Sequence, residues 1–443
     1  MKSGNKTFSG GIHPPYRKDL AESHEIKPCV TPDKVTILLR QHIGAPCDPL
    51  VKVGDEVKVG QKIGDTEAFV SAPIHSSVSG KVIKIAEVDS PDGTTSNAVI
   101  IQSDGKFEVS EEVSPKGSID DLTPEQIVEI VREAGITGQG GASFPTHIKL
   151  TPPKDKNVDV VILNGAECEP YLTADHRLML EKSEDIIYGL KAIMKAVKVN
   201  KGYIGIEDNK KDAIQAMEKA AQNEPNIEIV SLETKYPQGD EKRIIDAITK
   251  REVPAGGLPM DVGVVVNNVG TAYAVSVAIK TGMPLIERVV TVTGGAVNEP
   301  SNFMARLGTP FSDLIEQCGG YKNEVEKLVM GGPMMGMAQF CDTVPVIKGT
   351  SGILALSKAE AQLPEQNQCI RCAKCVDVCP VNLEPVLMNQ NIKQERFEIL
   401  EEDYNIWSCI ECGACSFVCP SKISLVHSFK YAKKELAKKR VSN

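Results

Sequence analysis

The sequence predicts a multidomain chain that combines α/β and α+β folds. At 443 residues the chain is too long for one hydrophobic core, so roughly three domains are expected. Short β runs broken by glycine turns precede residue 110, and apolar strands alternate with helical stretches over residues 120–285. Two cysteine-rich runs follow between residues 369 and 419. The different patterns of these parts predict separate domains of different architecture.

The composition is typical of a soluble globular protein, with 41% hydrophobic and 25% charged residues. A formal net charge of −9 disfavours nucleic acid as a partner. The sequence has no run of about 18 apolar residues, so no transmembrane helix is predicted. Residues 1–6 lack the apolar core of an export signal. The thirteen cysteines then fit a reducing compartment. The five outside the two runs are expected to be small buried side chains: Cys29, Cys47, Cys168, Cys318 and Cys341.

Residues 1–110 have the pattern of a small β domain. Residues 51–64 alternate apolar and polar side chains between glycine turns, and residues 79–85 continue the alternation. The pattern resembles a barrel-sandwich hybrid, the fold of lipoyl and biotinyl domains. Those domains carry a modifiable lysine at a hairpin tip, whereas the tip here, residues 70–75, has none. We therefore expect a structural or docking role, with an acidic linker following at residues 108–121.

The central domain begins with a helix and a glycine-rich loop. Residues 124–133 carry apolar side chains at helical spacing behind Thr123, a candidate N-cap. Glycines at positions 138, 140 and 141 allow backbone N–H groups to approach an anion, and Lys149 adds a positive charge. The loop is not a P-loop, because no Gly-Lys-Ser/Thr follows, and it lacks the strand and acidic residue of a dinucleotide fingerprint.

Polar residues follow two apolar strands of this domain. The strand at 158–163 is followed by Asn164, and the strand at 262–266 by Asn267 and Asn268. Helices and strands alternate between them, at residues 182–197, 201–207, 210–223 and 227–232. This alternation predicts a parallel sheet, and such sheets bind ligands at the carboxyl ends of their strands.

These motifs resemble the flavin-bearing, NADH-oxidising subunit of respiratory complex I, the 51-kDa type. That family has a loop G-x-G-G-x-x-F-P-T, matched by residues 138–146, and a stretch N-N-V-x-T, matched by residues 267–271. Its N-A-D-E-x-E-P and Y-x-x-G-E-E stretches are matched in part by residues 164–170 and 236–241. The departures are Gln139 for an arginine, Ala166 for an aspartate and Asp240 for a glutamate.

The resemblance implies an FMN site with NAD(H) bound beside it. Carried over residue by residue, it places Glu169 and Glu241 near the nicotinamide as the catalytic candidates. The cofactor-binding candidates are Gly138, Gly140, Lys149, Asn164, Tyr236, Gly239, Asn267, Asn268 and Thr271.

Residues 286–345 resemble the soluble-ligand-binding β-grasp domain that follows the flavin domain in the same family. A strand is predicted at 287–295 and a helix at 312–318. The methionine- and glycine-rich residues 329–336 lack periodicity, which indicates a loop whose methionines fill core space or pack on a flat surface.

Two cysteine runs, at residues 369–380 and 409–420, both read C-x2-C-x2-C-x3-C-P. This spacing is that of bacterial ferredoxins with [4Fe–4S] clusters, in which the fourth cysteine ligates the cluster of the other run. Zinc sites use two Cys-x2-Cys pairs instead, and disulfides need an oxidising compartment. The sequence therefore predicts two cubanes. One is ligated by Cys369, Cys372, Cys375 and Cys419, and the other by Cys409, Cys412, Cys415 and Cys379.

The rest of the chain is predicted to be helical. Residues 385–402 join the two runs with Pro385 in the first helical turn. The end of the chain is basic, at Lys430, Lys433, Lys434, Lys438, Lys439 and Arg440. A solvated helix face is the expectation, and attraction to an anionic membrane or an acidic partner is the alternative.

The order of the domains resembles the C subunits of Rnf complexes, membrane assemblies that couple ferredoxin:NAD+ oxidoreduction to ion translocation. The predicted domains are a barrel-sandwich hybrid at 1–110, a flavin domain at 120–285, a β-grasp at 286–345 and a two-cluster domain at 360–443. The resemblance implies a peripheral subunit on the cytoplasmic face of the membrane. It also implies other Rnf-type subunits as partners, among them an iron–sulfur subunit that receives electrons from ferredoxin.

The implied function is electron transfer between NAD(H), FMN and two [4Fe–4S] clusters. Electrons arrive singly through the cubanes, and the flavin passes a hydride to NAD+. The alternative is a subunit for electron transfer through clusters alone, or for assembly, without nucleotide chemistry.

Overall fold

The computed structural model describes residues 6–322 and 324–442, with 441 and 442 described by backbone alone. The prediction that residues 1–6 carry no export signal concerns Met1–Asn5 almost entirely, and these lie outside the described residues. The strands form four sheets, and helices flank the parallel one. The predicted multidomain α/β and α+β class is confirmed.

The N-terminal domain is a sandwich of two antiparallel sheets, as predicted. One sheet has the order β2-β8-β7-β4 and the other β3-β5-β6. Val35, Ile37, Ile63 and Val99 fill the space between them. The strands are β2 (Lys34–Leu38), β3 (Asp48–Pro49), β4 (Glu56–Val57), β5 (Lys62–Asp65), β6 (Ile74–His75), β7 (Gly80–Asp89) and β8 (Thr95–Ser103). The hairpin tip is buried at Ser71, Ala72 and His75, so the tip docks onto the rest of the chain.

The central domain is a parallel α/β sheet in the order β11-β10-β9-β12. Its strands are β9 (Val160–Asn164), β10 (Gly202–Glu207), β11 (Ile227–Leu232) and β12 (Val264–Asn268). Its helices are α1 (Pro124–Glu133), α2 (Thr146–Lys149), α3 (Ala174–Glu181), α4 (Ser183–Ala196), α5 (Lys211–Ala220), α6 (Glu241–Thr249) and α7 (Val269–Thr281). The chain leaves β9 towards β10, while β12 lies on the opposite side of β9. The carboxyl ends of β9 and β12 therefore form a topological switch point, where open α/β sheets bind ligands.

Apolar side chains alternate between the two faces of this sheet. Val161 and Leu163 point towards the layer that contains α4 and α7, and Ile162 points towards α6. Helix α1 begins as predicted, because Thr123 and Gln126 form a reciprocal capping box.

The third sheet is six-stranded, in the order β1-β14-β13-β17-β15-β16. Its strands are β1 (Ile26–Pro28), β13 (Glu287–Thr293), β14 (Ser301–Arg306), β15 (Val325–Met330), β16 (Met337–Gln339) and β17 (Gly352–Ser357), with helices α8 (Phe311–Gln317) and α9 (Lys358–Ala361). The sheet extends beyond residues 286–345, because β17 lies in its centre and β1 comes from the N-terminal part. The loop predicted at 329–336 is in fact the tip of the β15–β16 hairpin, with the turn at Gly331–Gly336.

The C-terminal domain is helical, with short helices after the first cysteines of each run. Its helices are α10 (Lys374–Asp377), α11 (Pro385–Lys393), α12 (Phe397–Glu402), α13 (Ala414–Phe417) and α14 (Leu425–Ser442). The helical spacer predicted at 385–402 is broken into α11 and α12, with Glu395 at a positive φ of 55° between them. No helix among the described residues has both the length and the apolar character needed to cross a membrane.

The basic C-terminal helix pairs within the chain. Lys439 and Arg440 of α14 form ion pairs with Glu398 and Glu401 on α12, and Lys433 pairs with Glu411 at 2.8 Å. These contacts hold α14 against its own domain, so part of its positive charge is neutralised internally.

Candidate functional site

The asparagines predicted to follow the two strands are in fact their last residues, and they meet at the switch point: Asn164 ends β9, and Asn267 and Asn268 end β12. Asn164 and Asn268 are register partners on the two strands. The Asn164 side chain donates to Gly239 O at 2.7 Å, and the Asn268 side chain donates to Asn164 O at 3.4 Å. The Asn268 oxygen also accepts from Gly270 N and caps α7. Three stretches that are far apart in sequence thus converge on one edge of the sheet.

The glycine loop closes over this edge. It is a narrow loop, since Gly138 N–H donates to Phe144 O at 2.9 Å. Gln139 N–H donates to the Thr271 hydroxyl at 3.1 Å, which ties the loop to the first turn of α7. Gly140 lies so close to Asn268 that an added Cβ would be 2.8 Å from its Nδ2. The loop, Asn268 and Thr271 therefore form one structural unit.

Lys149 provides a positive charge beside the same edge. Its ammonium donates to Val266 O at 3.2 Å and pairs with Glu241 at 2.6 Å. Both side chains are partly exposed, and Glu241 begins α6. The two predicted site residues thus neutralise each other, and an anionic ligand that binds Lys149 competes with this pair.

Two buried amides near this edge lack partners among the described residues. Asn267 Nδ2, on β12, has no hydrogen-bond partner although the residue is buried. The Gln238 side chain is fully buried with both amide atoms unpartnered, next to Gly239. Because buried polar groups are normally hydrogen-bonded, these amides are groups that a polar ligand at this edge would satisfy. Together with the glycine loop and Lys149, this donor-rich edge fits FMN, whose phosphate and ring carbonyls accept hydrogen bonds.

The second catalytic candidate, Glu169, is held by the turn of the β15–β16 hairpin, which we call the methionine turn (residues 331–336). Its two carboxylate oxygens accept from Met334 N at 3.1 Å and Met335 N at 2.8 Å. A Cβ on Gly332 would overlap Glu169 Oε2, so no larger residue fits there without movement. Burial raises the pKa of Glu169 to about 7, although the two N–H donors oppose the shift.

Buried lysines fix the loop that carries Glu169. Lys18 belongs to the segment before β1, residues 6–25, which we call the N-terminal arm. It donates to Glu167 O at 2.9 Å and to Glu169 O at 3.0 Å. Lys210 donates to Ala166 O at 2.9 Å and pairs with the fully buried Glu207. These residues were missed from the sequence, because an isolated lysine carries no pattern that predicts such a role.

Tyr236, a predicted flavin residue, links the sheet to the second cysteine run. Its hydroxyl donates to Cys412 O at 2.8 Å, and the side chain is almost fully buried. Ile12, Cys168 and Ala414 pack with these two residues in one apolar cluster. The switch point and the loop of the second run are therefore in direct contact.

The cysteines come together in two mixed sets, each with three cysteines of one run and the last of the other. Cys419 lines a surface pocket with the first three cysteines of the first run, Cys369, Cys372 and Cys375. In the second set, burial raises the pKa of Cys415, and the thiols of Cys412, Cys409 and Cys379 raise it further. Cys379 thus lies with the second run.

The two sets differ in exposure. Cys369 and Cys372 of the first set are exposed, whereas Cys379 and Cys412 of the second are buried. No three potential ligands in the described part of the chain are as close as a single metal ion requires. A [4Fe–4S] cube spaces its ligands more widely than one ion does, and cysteine is its ligand. Each set of four cysteines supplies the type and the number of ligands that one such cluster needs.

Comparison with known proteins assigns each part of the chain. Family models match for the RnfC barrel-sandwich hybrid domain at residues 6–106, the Nuo51 FMN-binding domain at 131–277, the SLBB domain at 289–338 and the 4Fe–4S dicluster domain at 363–420.

Curated relatives match over nearly the full length of the chain. The C subunit of the Na+-translocating ferredoxin:NAD+ oxidoreductase complex of Acetobacterium woodii is 49% identical over 99% of both chains. The C subunit of the proton-translocating ferredoxin:NAD+ oxidoreductase complex of Clostridium ljungdahlii is 49% identical over 97% of this chain and 94% of that one. Among solved structures, an air-oxidised NAD+-reducing [NiFe]-hydrogenase matches at a TM-score of 0.50 and 18% identity, over 73% of this chain and 68% of that one. That likeness concerns the fold alone.

Proposed function

Because the chain belongs to the C-subunit family of Rnf-type ion-translocating ferredoxin:NAD+ oxidoreductases, we propose that it transfers electrons between NAD(H), one FMN and two [4Fe–4S] clusters. The FMN lies at the switch point, and each mixed cysteine set holds one cluster. FMN, when bound, supplies the junction between two-electron chemistry at nicotinamide and one-electron chemistry at a cluster.

The observation that carries this proposal is the direct contact between the switch point and the second cysteine set. The Tyr236 hydroxyl bonds the carbonyl of Cys412, and Gly11 N–H donates to Val378 O at 2.9 Å, beside Cys379. Arg243 of α6 donates to Pro380 O at 2.5 Å. The backbone around the second set is thus hydrogen-bonded by two residues of the flavin domain and by one residue near the start of the chain, which supports an electron route between flavin and cluster.

The chain's own residues have separate tasks in this scheme. The glycine loop and Lys149 hold the flavin phosphate, and Asn164, Asn267 and Asn268 orient the ring. Glu241 and Glu169 would lie near the nicotinamide, where a carboxylate favours the positively charged, oxidised ring. The carboxylate of Glu169 is already bonded to the methionine turn, so it acts by position and charge.

The two cysteine sets differ in exposure, and this difference orients the proposed electron route within the chain. The second set, which is the more buried of the two, faces the flavin domain, and the more exposed first set faces outwards, where Ile370 is 67% exposed beside Cys369. We propose that the first set exchanges electrons with an iron–sulfur subunit of the complex, one that receives them from ferredoxin. The chain then sits peripherally on the cytoplasmic face of the membrane.

One set of measurements on the isolated subunit with reconstituted clusters tests the proposal. We expect one FMN and about eight iron atoms per chain, and bleaching of both cofactors on titration with NADH. Two clusters without flavin would instead identify a subunit for electron transfer through clusters alone. Electron flow that survives Cys372→Ser and Cys412→Ser would identify an assembly role.

A further inference from the structure

Two buried cations lie at the two ends of the segment that leads into the glycine loop, residues 135–139. Lys348, which is fully buried, donates to Gly135 O at 2.6 Å and to Pro73 O at 2.7 Å. Arg288 of β13, also buried, donates through both terminal nitrogens to Gln139 O at 3.2 Å. The two are joined, because Arg288 also donates to Lys348 O at 2.5 Å. Three domains therefore meet in one hydrogen-bonded network.

The tip of the hybrid domain presses directly on the start of this segment. Gly135 has a φ of +63°, and a Cβ added there would overlap Pro73 O. The position thus requires glycine for two reasons: its positive φ and the close approach of the Pro73 carbonyl. The Lys348 side chain donates to the carbonyls of both Pro73 and Gly135. Its backbone N–H donates to the Gln41 side chain of the hybrid domain at 3.0 Å. The tip that carries a modifiable lysine in lipoyl-type domains is here packed against Gly135 and hydrogen-bonded to Lys348.

We propose that Arg288 and Lys348 are positioning residues for the FMN-binding loop, and that the tip of the hybrid domain is the fixed support on which that loop rests. This inference depends on the proposed function, since it assumes that the glycine loop binds FMN. It assigns a role in cofactor binding to two domains that contribute none of the predicted FMN contacts.

The physical basis is the planarity of the peptide bond. The Gln139 carbonyl and the Gly140 N–H belong to one trans peptide, so they point in opposite directions. With the carbonyl held by Arg288, the Gly140 N–H points away from the β-grasp sheet. Gln139 N–H is likewise held by Thr271. A loop fixed in this way binds an anion without first losing its own conformational freedom, which increases affinity.

A neutral side chain that only fills the same space cannot replace either cation in this network. Arg288 and Lys348 donate to carbonyl oxygens, and removal of either cation leaves buried acceptors without partners. The remaining loop still has its glycines, Lys149 and the capped start of α7. Loss of a cation should therefore weaken FMN binding without removing the direct contacts.

The test is FMN titration of the purified full-length chain with reconstituted clusters, followed by flavin fluorescence quenching. Arg288→Gln and Lys348→Met should each raise the Kd for FMN roughly tenfold or more. The Kd for riboflavin, which lacks the phosphate, should rise less. Arg288→Lys, which keeps the buried charge and a donor, should give an intermediate value.

Arg306→Gln is the matched control. Arg306 lies on the neighbouring strand β14 and donates to Ser77 O of the hybrid domain at 2.7 Å, but it does not contact the glycine loop. Its replacement breaks a comparable link between the same two domains and should leave the Kd for FMN within about twofold of wild type.

The outcomes separate the two levels of inference. A wild-type chain that binds no FMN overturns the proposed function and this inference with it. A wild-type chain that binds FMN, with affinity unchanged in Arg288→Gln and Lys348→Met, overturns the inference alone. An equal loss of FMN affinity in Arg306→Gln would show that binding depends on general packing between the domains, which also overturns the inference. If either variant fails to assemble its clusters, Arg288→Lys supplies the measurement.

Discussion

Tyr236 shows how a single side chain serves two parts of the molecule. The resemblance placed it in the flavin pocket, and the structure uses its hydroxyl to bond Cys412 O. Its ring packs in the apolar cluster between the switch point and the second cysteine set. Position in a motif predicts where such a residue lies, but not which neighbour takes its hydrogen bond.

Replacement of this tyrosine by phenylalanine tests the junction. Tyr236→Phe leaves the ring in place and a buried carbonyl without its donor, which costs about 1–2 kcal/mol of stability. We expect NADH to reduce the flavin at the wild-type rate, and the clusters to be reduced more slowly, in stopped-flow traces.

Tyr188→Phe is the comparison for this measurement. The Tyr188 hydroxyl accepts from Ile119 N at 3.0 Å in the helical layer, and this variant loses a similar bond. Equal slowing in both variants would contradict a special role for the contact with Cys412.

The ionisation of Glu169 makes the stability of the chain depend on pH. Burial raises the pKa of this carboxyl from 4.5 to about 7. As pH rises from 4.5, the unfolded chain ionises first, so the free energy of unfolding falls until about pH 7 and stays lower above it. The shift corresponds to about 3 kcal/mol.

Glu169→Gln removes this titration. Its thermal midpoint relative to wild type should therefore rise steadily between pH 5 and pH 7.5, as followed by scanning fluorimetry. A constant difference between the two proteins over that range would show that Glu169 does not titrate there.

At the scale of elements, local signals predicted structure well. Thr123 and Gln126 predicted the start of α1, because a capping box is a contact between residues three apart. Apolar runs alone predicted the strands β9 and β12, although both strands begin and end slightly later than predicted and include the asparagines at their carboxyl ends. The strand β17 was missed, since its parallel partner β13 lies far earlier in the sequence and its antiparallel partner β15 is not joined to it by a tight hairpin turn.

The cysteine runs are elements whose spacing carries long-range information. The structure brings Cys419 to the first run and Cys379 to the second, and the crossed ligation predicted from the spacing needs this arrangement. In a Cys372→Ser background, where the first cluster is already lost, the second cluster should remain with about four iron atoms.

Two further substitutions then separate the alternatives. Adding Cys419→Ser should leave the iron content of this background unchanged, because Cys419 belongs to the lost cluster. Adding Cys379→Ser should remove the remaining iron. The reverse pattern in iron analysis and electron paramagnetic resonance would establish that each run ligates its own cluster.

On the scale of the whole molecule, the site is built by contacts between domains that the sequence does not reveal. The domain order could be predicted because each domain has its own motif. The cations that join the domains could not be predicted, since Lys18, Arg288 and Lys348 are isolated basic residues whose carbonyl partners lie over a hundred residues away or in another domain. Composition and spacing identify the parts, and buried polar contacts determine how the parts meet.

The arrangement of the domains gives the molecule an inner and an outer end. The switch point and the second cysteine set are covered by Gly11 and Ile12 near the start of the chain, by α6 and by the methionine turn. The first set opens to the surface, where exposed Ile370 lies between the exposed residues Cys369 and Arg371. A protein that exchanges electrons with this chain should therefore dock over Ile370, because electron transfer requires a short distance to the cluster.

Ile370→Glu tests this orientation. The substitution puts a carboxylate on the proposed docking surface without changing a ligand, so iron content and NADH-driven reduction of both cofactors should match wild type. Electron transfer between NADH and the rest of the assembled complex should fall about tenfold or more, because a charge in a desolvated interface costs several kcal/mol. Phe69→Glu is the control, since Phe69 is 79% exposed on the hybrid domain and distant in sequence from the cysteine runs. Equal losses in the two variants would show that the first cysteine set does not mark the docking surface.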